Sequence, residues 1–255
     1  MSTLRVDIVG SGRVALHLIR VFTLKGVRIN KLYARSKHGS VLADTMNISF
    51  DTIDRIPANG PLMIIAVSDD AIPLVASLIP PTRRVAHTSG SVSLEALTHD
   101  IRGVFYPLQT FTLASEPDWK KIPICLESND DILLEELKEI AKTISNKVVE
   151  VSSEQRQYLH IAAVMASNFS NQMYSLADDL LSQHGLDFEM LRPLILETAF
   201  KVQNMRPRDA QTGPARRHDT HTINRHLGYL EGNAEMHELY EVVTRSILRT
   251  YDGKL

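Results

Sequence analysis

The chain has 255 residues, 44% of them apolar and 23% charged, with a formal net charge of -2. That length supports a sizeable core in one large or two modest domains, and the near-neutral charge argues against nucleic acid as a default partner, which needs a concentrated basic field. Cys125 is the single cysteine, which excludes an intrachain disulfide and a cysteine-rich zinc site; no run of about 18 apolar residues offers a membrane span, the N-terminus lacks the basic-then-apolar layout of a secretory signal, and a cytoplasmic location is expected.

In chain order, residues 4–9 read as a strand, 14–25 as a helix ended by Gly26, and 27–34 as a second strand. A short helix over 38–46 and a short strand over 47–53 follow. The continuous apolar run Leu62-Met63-Ile64-Ile65-Ala66-Val67 suits a strand buried on both faces of a parallel sheet. Ser68-Asp69-Asp70 opens a helix through Leu78, and Pro80-Pro81 stops it. Strands are predicted over 84–87, 103–106, 122–126 and 147–151, with helices near 93–98 and over 130–145 and a long loop over 107–118. Beyond about residue 153 the apolar runs take helical period: 154–183 as one long helix, then 188–204, a polar loop over 206–217, and helices over 219–230 and 233–250. The expectation is an α/β domain with a mostly parallel sheet over 1–152 and an all-helical domain over 153–255. Since no Pro/Gly-rich tether separates them, the two are expected to pack closely, with a cleft between them.

The first strand runs into Gly10-Ser11-Gly12-Arg13-Val14-Ala15, the Gly-x-Gly-x-x-Ala layout of a dinucleotide-binding turn. Gly10 suits the tight turn, Gly12 leaves room for a pyrophosphate, Ala15 lets the helix pack on the sheet, and the free N–H groups of the first helical turn, from Arg13 and Val14 on, face the phosphates. From Gly10 to Ala43 there is no Asp or Glu, while seven Lys or Arg fall in that stretch. The end of the second strand, where an NAD site usually places a carboxylate for the ribose hydroxyls, reads Arg35-Ser36-Lys37, which attracts a 2′-phosphate and so favours NADP over NAD. Val67, Ser68 and Asp69 after the fourth strand and Thr88 after the fifth are candidates for the ribose and nicotinamide walls; helix capping is the alternative role for the aspartates. His87 reads equally as a satisfied structural histidine or a cleft residue.

In the helical half, an α-helical count places His160, Ser167 and Asn171 in one narrow polar stripe flanked by Asn168. Such a seam on an apolar helix needs partners or a wet cleft; a buried network between helices is the rival reading. Gly213-Pro214-Ala215-Arg216-Arg217-His218-Asp219 forms a second cluster, with a rigid turn, a helix cap at Asp219 or Thr220 and two arginines suited to a carboxylate or phosphate. Its histidines match no strong zinc pattern, so no metal is assigned.

Taken together, the glycine turn, His87-Thr88-Ser89-Gly90-Ser91, Tyr106-Pro107-Leu108-Gln109-Thr110-Phe111, His160-x-Ala162-Ala163-Val164-x-Ala166-Ser167-Asn168-Phe169 and Gly213-Pro214-Ala215-Arg216-Arg217-His218-Asp219 resemble the Rossmann-like proteins with a C-terminal domain of unknown function 2520. These are relatives of pyrroline-5-carboxylate reductase and the F420-dependent NADP oxidoreductases. The resemblance spans almost the whole chain and implies an NADP-binding fold and a homodimer built through the helical domain, with no established substrate. Members commonly carry Arg-Gly-Asp where this chain has Arg217-His218-Asp219.

The expected activity is an NADP(H)-dependent oxidoreductase transferring a hydride to or from a small-molecule acceptor in the cleft. His160 is the first candidate for proton transfer or for holding a carbonyl or imine, Asn168 and Asn171 for orienting the acceptor, and His87 and His218 are alternative acids. The alternatives are a noncatalytic NADP-binding sensor or partner protein, and a reductase that links NADP to F420 or a flavin as second redox cofactor. No nucleic acid or membrane partner is expected.

Overall fold

The computed structural model describes residues 4–35, 37–114 and 116–252. The chain divides into two compact units, Met1–Asn168 and Phe169–Leu255.

The first unit is built on an eight-stranded sheet: β1 (Arg5–Val9), β2 (Arg28–Tyr33), β3 (Phe50–Asp51), β4 (Leu62–Ile65), β5 (Val85–His87), β6 (Arg102–Pro107), β7 (Pro123–Ser128) and β8 (Lys147–Glu150), in the order β3-β2-β1-β4-β5-β6-β7-β8. β1 to β6 are mutually parallel, β7 runs antiparallel to β6, and β8 is parallel to β7. This is the Rossmann-like α/β sheet expected from the sequence, and the strand order reverses between β1 and β4, the switch point at which open sheets leave a crevice.

Alternation along β4 shows why its apolar run is continuous. Leu62 and Ile64 enter a layer with Leu18, Phe22, Leu133 and Leu137, from α1 (Arg13–Lys25) and α4 (Asp131–Ile144). Met63 and Ile65 enter the opposite layer with Ile72 and Val75 of α3 (Ile72–Ser77). A strand covered by helices on both faces has no polar side to display. The β2–β3 crossover carries α2 (Lys37–Met46). The helix expected near 93–98 is a single 3-10 turn, Leu94–Ala96, capped by Ser93.

The expected single helix over 154–183 is broken. α5 (Ser153–Ala163), opened by a capping box between Ser152 and Gln155, passes into a π-helical turn, Val164–Phe169, and then α6 (Ser170–Gln183). The first unit runs on beyond residue 153, where an all-helical domain was expected to begin, and includes α5. Arg156 on α5 is fully buried in the first unit; it pairs with Glu127 of β7 at 2.9 Å and donates to the Val92 carbonyl at 2.8 Å. Glu127 also accepts from the Ser153 N–H at 2.8 Å. A buried guanidinium with a carboxylate and a carbonyl as partners cannot leave that unit cheaply.

The second unit contains α6, α7 (Arg192–Asn204), α8 (Pro207–Ala210), α9 (Thr220–Leu230) and α10 (Ala234–Tyr251). The predicted polar loop over 206–217 thus holds α8 and a 3-10 turn, Ala215–Arg217. α9 and α10 pack together, and α10 also contacts the Ala215–Arg217 turn. α6 and α7 bury no residue within this chain. No helix among the described residues is long and apolar enough to cross a membrane.

Candidate functional site

At the switch point the chain leaves β1 through Gly10, whose φ of +117° lies in the region that favours glycine. A Cβ there would sit 2.2 Å from the Ala66 carbonyl oxygen. The Gly10 N–H donates to the Tyr33 carbonyl at 2.9 Å and the Ala66 N–H to the Val9 carbonyl at 2.8 Å, so the exits of β1, β2 and β4 are tied together. Gly12 caps α1 without a side-chain hydrogen bond, and the first turn of α1 carries no acid. Beside Gly12 a Cβ would meet nothing within 4 Å. The result is a helix N-terminus with free N–H groups opening onto empty space, suited to an anion.

That space is a cavity of about 470 Å³ lined by Gly10, Ser11, Gly12, Arg13, Val14, Arg35, Val67 and Ser68 among the expected residues. Arg13 and Arg35 are exposed. Arg20 and Lys31 of the same basic stretch pair with Glu116 and Asp51, whereas Arg13 and Arg35 have no carboxylate at ion-pair distance among the described residues. The cavity also has walls the sequence reading missed, above all Ile53 and Val75. Val75 belongs to the apolar face of α3; Ile53 comes from the 3-10 turn Ile53–Arg55 after β3, in a segment with little periodicity to announce it.

Three expected cofactor residues, Lys37, Asp69 and Thr88, are not among those lining the cavity. Ser36 lies outside the described residues. Lys37 is exposed at the start of α2. The Asp69 carboxylate accepts from the Ser91 hydroxyl. The Thr88 hydroxyl turns back to the Ile65 carbonyl at 3.4 Å, within the sheet.

A second cavity of the first unit, about 430 Å³, is lined by Tyr106, Leu108, Gln109, Thr110, His160, Ala163, Val164, Ala166, Ser167 and Asn168. Among the described residues it has no Lys, Arg, Asp or Glu in its wall. The Tyr106 hydroxyl lies 3.2 Å from Nδ1 of His160, with the rings edge to face. Both rings press on Gly90, where a Cβ would come within 2.6 Å of His160 Nδ1 and of Tyr106 Cζ. Tyr106 sits at the end of β6, and burial, before any charge, pushes its phenol up to about 12. His160 and Asn168 are thus brought together as expected. A π turn adds about one residue per turn to the α-helical count, so the angular argument that aligned His160 with Ser167 and Asn171 does not carry across Val164–Phe169. Ser167 and Asn168 reach the cavity through that turn itself, while Asn171 is exposed on α6 in the second unit.

The two alternative acids are placed elsewhere. His87 is fully buried, and its Nδ1 accepts from the Ser89 N–H at 3.1 Å. Burial first, and then the Arg156 charge, lowers it to about 4, so it is neutral at pH 7. It lines neither of these two cavities. His218, in the second unit, ends the Ala215–Arg217 turn with φ of +54°. Asp219 after it caps α9 by accepting from the Thr222 N–H at 3.0 Å, and Arg216 stacks 4.3 Å over the Tyr251 ring.

Fold and cradle define a Rossmann-like α/β protein with a helical C-terminal unit. Residues 122–247 match the domain of unknown function DUF2520. A protein of Bacteroides fragilis provisionally assigned as an NADP oxidoreductase is 35% identical, with a TM-score of 0.87, covering 96% of this chain and 98% of that one. A protein of Thermotoga maritima is 25% identical, with a TM-score of 0.75 and coverage of 96% and 98%. An imine reductase of Myxococcus stipitatus, solved with NADP+, shares the fold at 14% identity and a TM-score of 0.66, covering 98% of this chain and 96% of that one. Comparison with curated proteins gives no match. The chain belongs to the family of Rossmann-like proteins that carry DUF2520.

Proposed function

We propose that this protein is an NADP-dependent oxidoreductase acting on an uncharged carbonyl or imine. The observation that carries the reading is the open cradle at the switch point, where Gly12 leaves free space over the N-terminus of α1 and Arg13 and Arg35 stand without carboxylate partners among the described residues. A pyrophosphate fits the first feature and a 2′-phosphate the second. The provisional NADP assignment of the Bacteroides fragilis relative supports the same cofactor.

The cofactor supplies a hydride when bound. The chain's own part is to hold the phosphates on α1 and Arg35, and to hold the acceptor beside His160. A ring nitrogen of His160 polarises the acceptor heteroatom by a hydrogen bond, and the amide of Asn168 orients it. The lack of formal charge in the walls of the Tyr106–His160 cavity supports an uncharged acceptor, because a carboxylate or phosphate left there without a cation is costly. Titration with NADPH and NADH tests the reading: tighter NADPH binding is expected, and equal affinities remove the argument from Arg35.

The helical unit supports a homodimer. Leu196 and Phe200, one helical turn apart on α7, are 72% and 63% exposed, which is unusual for large apolar side chains sharing one face of a helix. A second copy of the same face is the occupant proposed, and sedimentation at micromolar concentration tests it; a monomer refutes it.

A further inference from the structure

We infer that Tyr106 is a positioning residue that fixes the neutral ring of His160 as its Nε2–H tautomer. The inference rests on the proposed role of His160 at the acceptor cavity.

A phenol carries one proton to donate, and a neutral imidazole carries one donor and one acceptor nitrogen. Tyr106 is 8% exposed, and the partner of its hydroxyl is His160 Nδ1 at 3.2 Å. If Nδ1 bore the ring proton, it would donate to the phenol oxygen and leave the phenol proton with no protein acceptor among the described residues, facing only the cavity. With the phenol donating to Nδ1 both groups are satisfied. The raised phenol ensures that the proton is present at neutral pH. The ring's remaining nitrogen is then an N–H, a fixed donor of the kind that polarises a carbonyl oxygen or a neutral imine nitrogen.

Gly90 makes the pair possible. The turn after β5 approaches so closely that a methyl group would overlap both rings. The register holds Tyr106 firmly, since it pairs with Cys125 of β7 in the interior of the sheet. Tyr106 was therefore set in place by strand pairing, and His160 was brought to it by α5, whose first turn Arg156 anchors.

Nitrogen-15 NMR of the full-length protein with labelled histidine, recorded where the His160 ring is neutral, reads the tautomer directly. The expected result is Nε2–H in the unsubstituted protein. In Tyr106→Phe the share of the Nδ1–H form should rise about fivefold, the change expected for one lost hydrogen bond. Gly90→Ala, which displaces both rings, should act in the same direction and serves where Tyr106→Phe does not fold. A ring found as Nδ1–H in the unsubstituted protein, or a ratio unmoved by the substitution, overturns the inference. NADPH affinity measured on the same samples is expected to change less than twofold. Failure of the unsubstituted protein to bind NADPH would refute the proposed function while leaving the tautomer result standing.

Discussion

Arg156 on α5 lies 2.9 Å from Glu127 on β7 and is itself fully buried, so the helix that carries His160 is bolted to the sheet at its first turn. The same guanidinium reaches the carbonyl of Val92, in the segment that follows Gly90. Replacing it by alanine strands Glu127 and opens a hole. Arg156→Ala should therefore cost about 3–5 kcal/mol in urea unfolding; a loss under about 1 kcal/mol would show that the pair is dispensable.

The left-handed backbone at His218 predicts a stabilising substitution. Its φ of +54° costs an ordinary side chain about 1 kcal/mol or more, and glycine avoids that cost while losing part of the gain to its freer unfolded state. His218→Gly should raise stability by roughly 0.5–1 kcal/mol, seen as a higher melting temperature. No change, or a lower melting temperature, would mean that the imidazole makes a compensating contact.

Cofactor choice should follow Arg35. Arg35→Asp removes a charge-assisted contact and adds repulsion, so NADPH affinity should fall roughly tenfold to hundredfold with NADH affected less than threefold. Fluorescence titration of both nucleotides separates this from a general loss of binding. Gly10→Ala is the control for such a loss, because its methyl would strike the Ala66 carbonyl and weaken both nucleotides together.

His87 predicts an acid-sensitive fold. Its ordinary value of 6.5 is lowered to about 4 in the folded protein. Between these values the unfolded chain holds a proton that the folded one refuses, so stability rises with pH across the window and falls as the pH drops from about 6.5 towards 4. The loss from this residue between pH 7 and pH 5 should be about 2 kcal/mol. His87→Gln, whose amide oxygen can still accept from the Ser89 N–H, should flatten the curve by that amount. An equally steep curve in the variant would assign the acid sensitivity to other groups.

What the sequence by itself determined is what local patterning encodes. Short apolar runs between turn residues marked the strands, the run at β4 because it is covered on both faces, and the glycine turn marked the cradle, because a positive φ at Gly10 and free space at Gly12 are properties of single residues in a recognisable order. The basic run near Arg35 was legible for the same reason: the absence of carboxylates is a property of composition. Tertiary structure alone decided the rest. The π turn Val164–Phe169 has no signature in apolar spacing, and it altered which polar groups of the predicted seam share a face. The pairing of Tyr106 with His160 joins residues 54 apart and depends on a third, Gly90, being small at that point in space. Nothing in the sequence singles out Arg156 from the other charges of the chain. Only the sheet beneath it, with Glu127 waiting at the right register, turned it into the anchor that ties α5 to the first unit.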